Sequence, residues 1–302
     1  MDVRDAFFLE VYTAIKKDKK IILLAVDQGA LAINAIKRDF PENYLNIGIF
    51  EQTAVNFAVG LAHQGYKPYI YLISPFTLRC LEQIKIGLCS MKSKVSIIAS
   101  GPGFTYASDG PTHYFNEDYG ILKNFPNLNF FATSDHISAK RVFRKSYKSE
   151  NPSFIRLEKG AHNKLGGLYR ESINHVIKGR NILIISNGYL SVLINKIVTE
   201  NSKFEYIGLL DITQIIPFDE LKIKKISKKY NTIILIDESS LISSINKDIH
   251  YILMKDKKFN NKKIILLNTD FKYWKIAGNR NFLHKQNKIG EDYIKKKLAT
   301  LI

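Results

Sequence analysis

An α/β fold in two domains, each built on a mostly parallel sheet, is what this sequence predicts, and three observations predict it. Short apolar runs alternate with longer helical stretches along the chain, the pattern of a parallel sheet covered by helices. A polar, glycine-containing stretch at residues 159–167 interrupts the alternation, which then restarts. The 302 residues are enough for two separate cores.

The first domain is expected over residues 1–160. It opens on an amphipathic run that predicts a helix over 4–17. Strands rich in β-branched and aromatic residues follow at 21–26, 45–50, 69–73, 95–100, 128–132 and 153–157. Helices are expected near 52–64, 76–91, 116–124 and 136–147. The 52–64 run is apolar almost all round, so it reads as a helix buried against a sheet, with Gly65 stopping it as a C-terminal cap. Residues 161–178 read as a linker, and the second domain, 179–302, is expected to carry strands at 181–186, 205–209, 232–237 and 263–268. No short internal repeat or low-complexity tail interrupts this pattern.

Composition narrows the function classes. Apolar content of 45% and charged content of 24% are those of an ordinary globular protein. Acids at Asp2 and Asp5 argue against a signal peptide, no run approaches a transmembrane span, and no membrane partner is expected. Cys80 and Cys89 fall in one predicted helix without metal-ligand spacing, which suggests a reducing cytoplasm and no metal site. The net charge of +17 invites a nucleic-acid reading. However, the lysines concentrate at 17–20, 222–229, 255–263 and 295–297, at helix ends or loops and without interleaved stacking aromatics. Solvated faces are the simpler account, with attraction of anionic substrates or an acidic protein as the remainder and no nucleic-acid partner expected.

Glu51 is the most informative single residue. It sits where a predicted strand gives way to an apolar helix, the carboxyl-end position at which open α/β sheets place ligands. An unpaired charge in such surroundings is expensive, so Glu51 needs a partner. Phe76 follows the next strand and offers either core packing or a flat face to a heteroaromatic ring. The loop after residues 95–100 begins Gly101-Pro102-Gly103 but has Tyr106 in place of a third glycine, so it is no dinucleotide fingerprint. Its end, Asp109-Gly110-Pro111-Thr112-His113, holds a carboxylate and an imidazole at the two sides of a rigid turn. That pair suits hydrogen bonds to hydroxyls and proton transfer near neutral pH. A plainer reading also stands, with Asp109 a local cap and His113 a core histidine.

Taken in order, several motifs resemble the transketolases and the 1-deoxyxylulose-5-phosphate synthases. They are Asn46 to Gln52, then Phe76, Arg79, Glu82 and Gln83, then Asp109 to His113, then Phe125-Pro126-Asn127 and Ser134-Asp135. Asn151 to Arg156 and Ile216-Pro217-Phe218-Asp219 continue the resemblance, which spans roughly residues 20–240 in unbroken order. It implies a pyrimidine-binding domain for thiamine diphosphate followed by a transketolase C-terminal domain. By that resemblance Glu51 is catalytic, binding a ring nitrogen of the cofactor's aminopyrimidine. Phe76 lies under that ring, and Asp27 is assigned to the cofactor with them. Asp109 and His113 contact the sugar, with His113 also catalytic, while Arg79 and Lys159 complete the substrate-binding set.

The departures from the family pattern carry information too. Lys159 stands where phosphosugar-binding members carry an arginine, and an ammonium cannot clamp phosphate as a bidentate fork. Pro102 replaces another phosphate-contacting arginine, and Gly101 a histidine of transketolases proper. The glycine pair usual after the acidic strand end is missing at Asp237 to Leu241. The family holds Mg²⁺ and the diphosphate with a Gly-Asp-Gly motif and a downstream asparagine, whereas the single Asp-Gly pair here is Asp109-Gly110. The expectation is therefore the C-terminal subunit of a split transketolase-like enzyme. Mg²⁺ and the diphosphate would be held mainly by a separate N-terminal subunit, in a heterotetramer acting on small sugars, with unusual-sugar or surface-polysaccharide synthesis as one option. The alternatives are the beta chain of a 2-oxoacid dehydrogenase, a deoxyxylulose-phosphate-synthase-like enzyme, and a cofactor-free structural or nucleic-acid-binding protein.

Overall fold

The alternation expected at the start of the chain is realised as α1 (Val3–Ile15), β1 (Ile21–Ala25), α2 (Leu31–Asp39), β2 (Tyr44–Asn46), α3 (Glu51–His63) and β3 (Lys67–Ile73). These belong to a computed structural model that describes residues 1–170, 172–275 and 278–302. After β3 the chain runs through a 3₁₀ helix (Ser74–Cys80), one α turn, α4 (Leu81–Gln83), and a π-helical turn (Ile84–Ser90) into β4 (Ser96–Ser100). Residues 107–112 form a 3₁₀ turn ahead of α5 (Asp118–Leu122), and β5 (Asn129–Ala132), α6 (His136–Lys148) and β6 (Ser153–Leu157) follow.

Chain contacts divide the molecule into two units, Met1–Pro102 with Leu122–His162, and Gly103–Ile121 with Asn163–Ile302. In the first, six strands pair in the order β5-β6-β4-β3-β1-β2, all parallel. Parallel pairing brings every carboxyl end to one edge of the sheet, the edge at which such folds bind ligands. One core packs Phe7, Phe8 and Val11 of α1 against Tyr69 and Tyr71 of β3 and Phe143 of α6. Full burial of such side chains stabilises the unit by about 1.5–3 kcal/mol each. Asp2 caps α1 by accepting from the Arg4 amide, and Asp135 with Ser138 forms a capping box on α6.

Three expectations for this unit are corrected. The strand expected over 45–50 ends at Asn46, because Gly48 adopts φ +76 and turns the chain before Glu51. The continuous helix expected at 76–91 is broken into 3₁₀, α and π turns, with Pro75 at its start. The α3 helix is not buried all round: its inner stripe is Glu51, Ala54, Val55 and Ala58, while Asn56 and Phe57 face outward. That stripe follows the i, i+3, i+4, i+7 spacing of a one-sided helix. Gly65 ends the helix as expected. At φ +83 it donates to the Ala62 carbonyl while Tyr66 donates to Leu61, a Schellman closure. Gly65→Ala is expected to cost about 1–2 kcal/mol of stability, because a Cβ disfavours the left-handed conformation. A denaturation midpoint unchanged from wild type would refute that.

The second unit contains β7 (Leu168–Arg170), β8 (Ile173–Ile177), β9 (Ile182–Ser186), α7 (Gly188–Thr199), β10 (Ile207–Ile212), β11 (Gln214–Ile216), α8 (Glu220–Ser227), β12 (Thr232–Ser240), α9 (Ile245–Met254), β13 (Lys263–Thr269), α10 (Arg280–Gln286) and α11 (Glu291–Ala299). Its sheet order is β13-β12-β9-β10-β8-β7. The first four strands are parallel, and β8 and β7 add antiparallel. That hairpin occupies part of the stretch expected as a linker, of which Glu171 lies outside the described residues. The loop 103–121, expected in the first domain, is part of this second unit. No helix among the described residues is long and apolar enough to cross a membrane.

Candidate active site

Asp27, Glu51, Phe76 and Arg79 all follow the carboxyl ends of neighbouring parallel strands, β1, β2 and β3. Glu51 is the first residue of α3 and lies on its inner stripe, so a carboxylate occupies a position that the helix otherwise fills with alanine and valine. It is 3% exposed. Its two oxygens share one donor, Nη1 of Arg79, at 3.2 Å each. The same guanidinium lies over the Phe76 ring, with Cζ 4.4 Å from the ring centroid. Arg79, placed by the sequence toward the substrate, is thus engaged by Glu51 and Phe76, while its side chain remains 52% exposed.

The 3₁₀ geometry sets the alignment of this pair. With three residues per turn, positions i and i+3 eclipse, so Phe76 and Arg79 stack within the 3₁₀ helix Ser74–Cys80. In the α-helix expected there they would be offset around the axis. Next to them, Cys80 is buried and donates its thiol to the Thr77 carbonyl. Burial, together with the nearby Glu51 charge, pushes its thiol up to about 12, so it is no nucleophile. The Thr77 hydroxyl is buried without a hydrogen-bond partner among the described residues.

Asp27 is exposed at the end of β1, with φ 49. Asn46 ties it to the turn before Glu51, because its Oδ1 accepts from the amides of both Asp27 and Gly48. Sequence reasoning gave Asn46 no role of its own; an asparagine two residues before a glycine at the end of a strand was the available signal. Lys159 is exposed just beyond β6.

Asp109 and His113 belong to the second unit, on the 3₁₀ turn Ala107–Thr112 and just after it. Asp109 is exposed and His113 half-buried, with its Nδ1 2.8 Å from the Thr112 hydroxyl. Their loop is anchored by a cluster that sequence reasoning missed. Phe104 and Tyr114 pack with Trp274 and Leu283, and Tyr119 donates to Asp248. Asn116 donates to the Glu238 carbonyl at 2.9 Å. Glu238 itself is buried, paired with Arg280 through both oxygens and with His284. Burial is the largest single influence and would raise its pKa, but the charges of Arg280 and His284 and their hydrogen bonds together outweigh it and hold it well below the carboxylate range. Gly103, at φ +57, is required here, since a Cβ would meet Glu238 Oε2 at 2.0 Å.

Residues 1–164 match the family model described as the transketolase pyrimidine-binding domain. The chain belongs to the transketolase family. This transketolase-family chain is 29% identical over 266 residues to the 1-deoxy-D-xylulose-5-phosphate synthase of Aliarcobacter butzleri, covering 86% of itself and 43% of that protein. It therefore spans about two fifths of the length of such relatives. It is also 25% identical over 249 residues to one of the subunits of the apulose-4-phosphate transketolase of Phocaeicola vulgatus, with 78% of each chain covered. Among solved structures it shares the fold of a split-gene transketolase described as an inactive beta4 tetramer, with a TM-score of 0.84, 17% identity, and 99% and 98% of the two chains covered.

Transketolase-family enzymes use thiamine diphosphate, and Glu51 and Phe76 bear on its pyrimidine end. A carboxylate accepts at about four lone-pair positions, and Glu51 meets one nitrogen shared between its two oxygens. A charge-assisted donor taking the place of that nitrogen would meet the same carboxylate, and Phe76 supplies an aromatic face beside it, so the pyrimidine end fits. Among the described residues no group of three or more His, Cys, Asp or Glu side chains is placed to hold a metal ion.

Proposed function

We propose that this chain is the pyrimidine-binding subunit of a split, thiamine-diphosphate-dependent transketolase-like enzyme. It would transfer a ketol or acyl-anion-equivalent fragment between a sugar-type donor and acceptor. The observation that carries this reading is the buried Glu51 carboxylate on the inner stripe of α3, beside the Phe76 ring. Thiamine diphosphate, when bound, supplies a thiazolium carbon able to carry the transferred fragment. Glu51 would hold a proton at a ring nitrogen of the aminopyrimidine, an interaction strengthened by the exclusion of water around it. Phe76 would take the pyrimidine on its face, and Asp27 would border the cofactor. Asp109 and His113 would bind sugar hydroxyls, with His113 moving a proton at a sugar oxygen, and Lys159 would offer a single positive charge to the substrate.

The partner is a separate chain that supplies Mg²⁺ and the diphosphate site, in a heterotetramer of the cytoplasm. Support comes from two relatives, one described as the product of a split gene and the other as one subunit of a transketolase. It comes also from large apolar side chains left exposed in segments that flank Glu51 and Phe76 along the chain, namely Ile49, Phe50, Phe57 and Leu78. A deoxyxylulose-phosphate-synthase-like condensation is the second reading, favoured by the 29% identity to such an enzyme. Mass spectrometry of products from 2-oxoacid and ketose donors separates the two.

Calorimetry tests the split site. Thiamine diphosphate with Mg²⁺ is expected to bind this chain mixed with a second chain carrying Gly-Asp-Gly and a downstream asparagine at least about tenfold more tightly than this chain alone, about 1.4 kcal/mol. Equally tight binding by the isolated chain would refute it.

A further inference from the structure

We propose that Arg79 is a built-in occupant of the pyrimidine subsite, one that has to swing away before the cofactor's aminopyrimidine can bind. The inference rests on the reading of Glu51 and Phe76 as that subsite. A planar cation hydrogen-bonded to Glu51 and stacked on Phe76 is the chemistry that reading assigns to a protonated aminopyrimidine. The Arg79 guanidinium already fills both roles, with Nη1 3.2 Å from each Glu51 oxygen and Cζ 4.4 Å from the Phe76 centroid. One planar group cannot share one carboxylate and one ring face with another.

The geometry also makes Arg79 easy to displace. Its side chain is 52% exposed, whereas that of Glu51 is 3% exposed, so the arginine can leave into water and the carboxylate cannot. Both Nη1 contacts lie at the long end of hydrogen-bond distance, and one nitrogen bridging two oxygens is not the parallel fork of a strong arginine–carboxylate pair. The closed arrangement therefore covers a buried charge that would otherwise be unpaired, at a small penalty to cofactor affinity. Binding competence then belongs to the fraction of molecules in which Arg79 has moved out.

Cofactor binding to the assembled pair of subunits tests this, using thiamine diphosphate with Mg²⁺ and titration calorimetry. Arg79→Met, which keeps the aliphatic stem but removes the guanidinium, is expected to tighten binding about three- to tenfold, the range set by a cation–π contact plus an ion pair whose cation is half in water. Arg79→Lys keeps the charge without the planar stack and is expected to fall between wild type and Arg79→Met. Glu51→Ala, measured in parallel, is expected to weaken binding. Unchanged or weaker binding by Arg79→Met, with Glu51→Ala still weakened, overturns the occupant and leaves the subsite standing. No change in either variant overturns both.

Discussion

Glu51→Ala, in the enzyme reconstituted with its diphosphate-binding partner, is expected to lose at least about 10²-fold in turnover at saturating cofactor, and up to about 10⁴-fold. The range is that of a positioned acid–base group, and the structure explains why nothing nearby can substitute. Glu51 is the one carboxylate on the inner stripe of α3, and its neighbours there are Ala54, Val55 and Ala58. Cys80 is held as a neutral thiol by burial and by Glu51 itself. Glu51→Gln separates the causes, because it keeps the volume and a hydrogen-bonding head while removing the charge. A comparable loss in Glu51→Gln, with an unchanged thermal midpoint, assigns the effect to the carboxylate. Turnover close to wild type in either variant would sink the assignment.

Glu238→Ala is expected to destabilise the second unit by about 3–5 kcal/mol, the penalty for stranding the other half of a buried ion pair. Arg280 and His284 would be left facing a cavity, and the packing around Gly103 would lose its wall. Denaturant unfolding followed by the fluorescence of Trp274, the single tryptophan and a member of that cluster, reads this unit directly. A midpoint within about 1 kcal/mol of wild type would remove the cluster as the anchor.

The same carboxylate predicts a pH dependence. Its folded pKa is depressed below the unfolded value, so its contribution to stability is complete above about pH 4.3 and is lost as pH falls below that toward the folded pKa. Wild type should lose stability more steeply than Glu238→Gln as the solution is acidified. Because the Glu238 side chain lies against Gly103, at the start of the loop that carries Asp109 and His113, Glu238→Ala should also raise KM for the sugar substrate.

Much of the fold is legible in the sequence. The α/β alternation, the end of α3 at Gly65 and the helix near 136–147 are local matters of periodicity and backbone conformation, so a short window of sequence carries them. The strand pattern over 45–50 runs too far because apolar Ile47, Ile49 and Phe50 satisfy it, while the left-handed Gly48 between them ends the strand. The outward face of α3 escapes the sequence pattern for a related reason. Apolar composition says that a surface avoids water and does not say what covers it.

What the sequence determined by itself is the family, through an ordered set of motifs, and the carboxylate at the head of α3. What only the tertiary structure decided is which groups that carboxylate meets. Arg79 reaches Glu51 across 28 positions of chain and lies over Phe76, with which a 3₁₀ turn aligns it. Glu238 gathers Arg280 and His284 from more than forty positions away, around a glycine from a different loop. Periodicity and turn chemistry are properties of neighbours in sequence. The pairing of buried charges depends on which strands and helices pack side by side, and that is settled when the chain closes its cores.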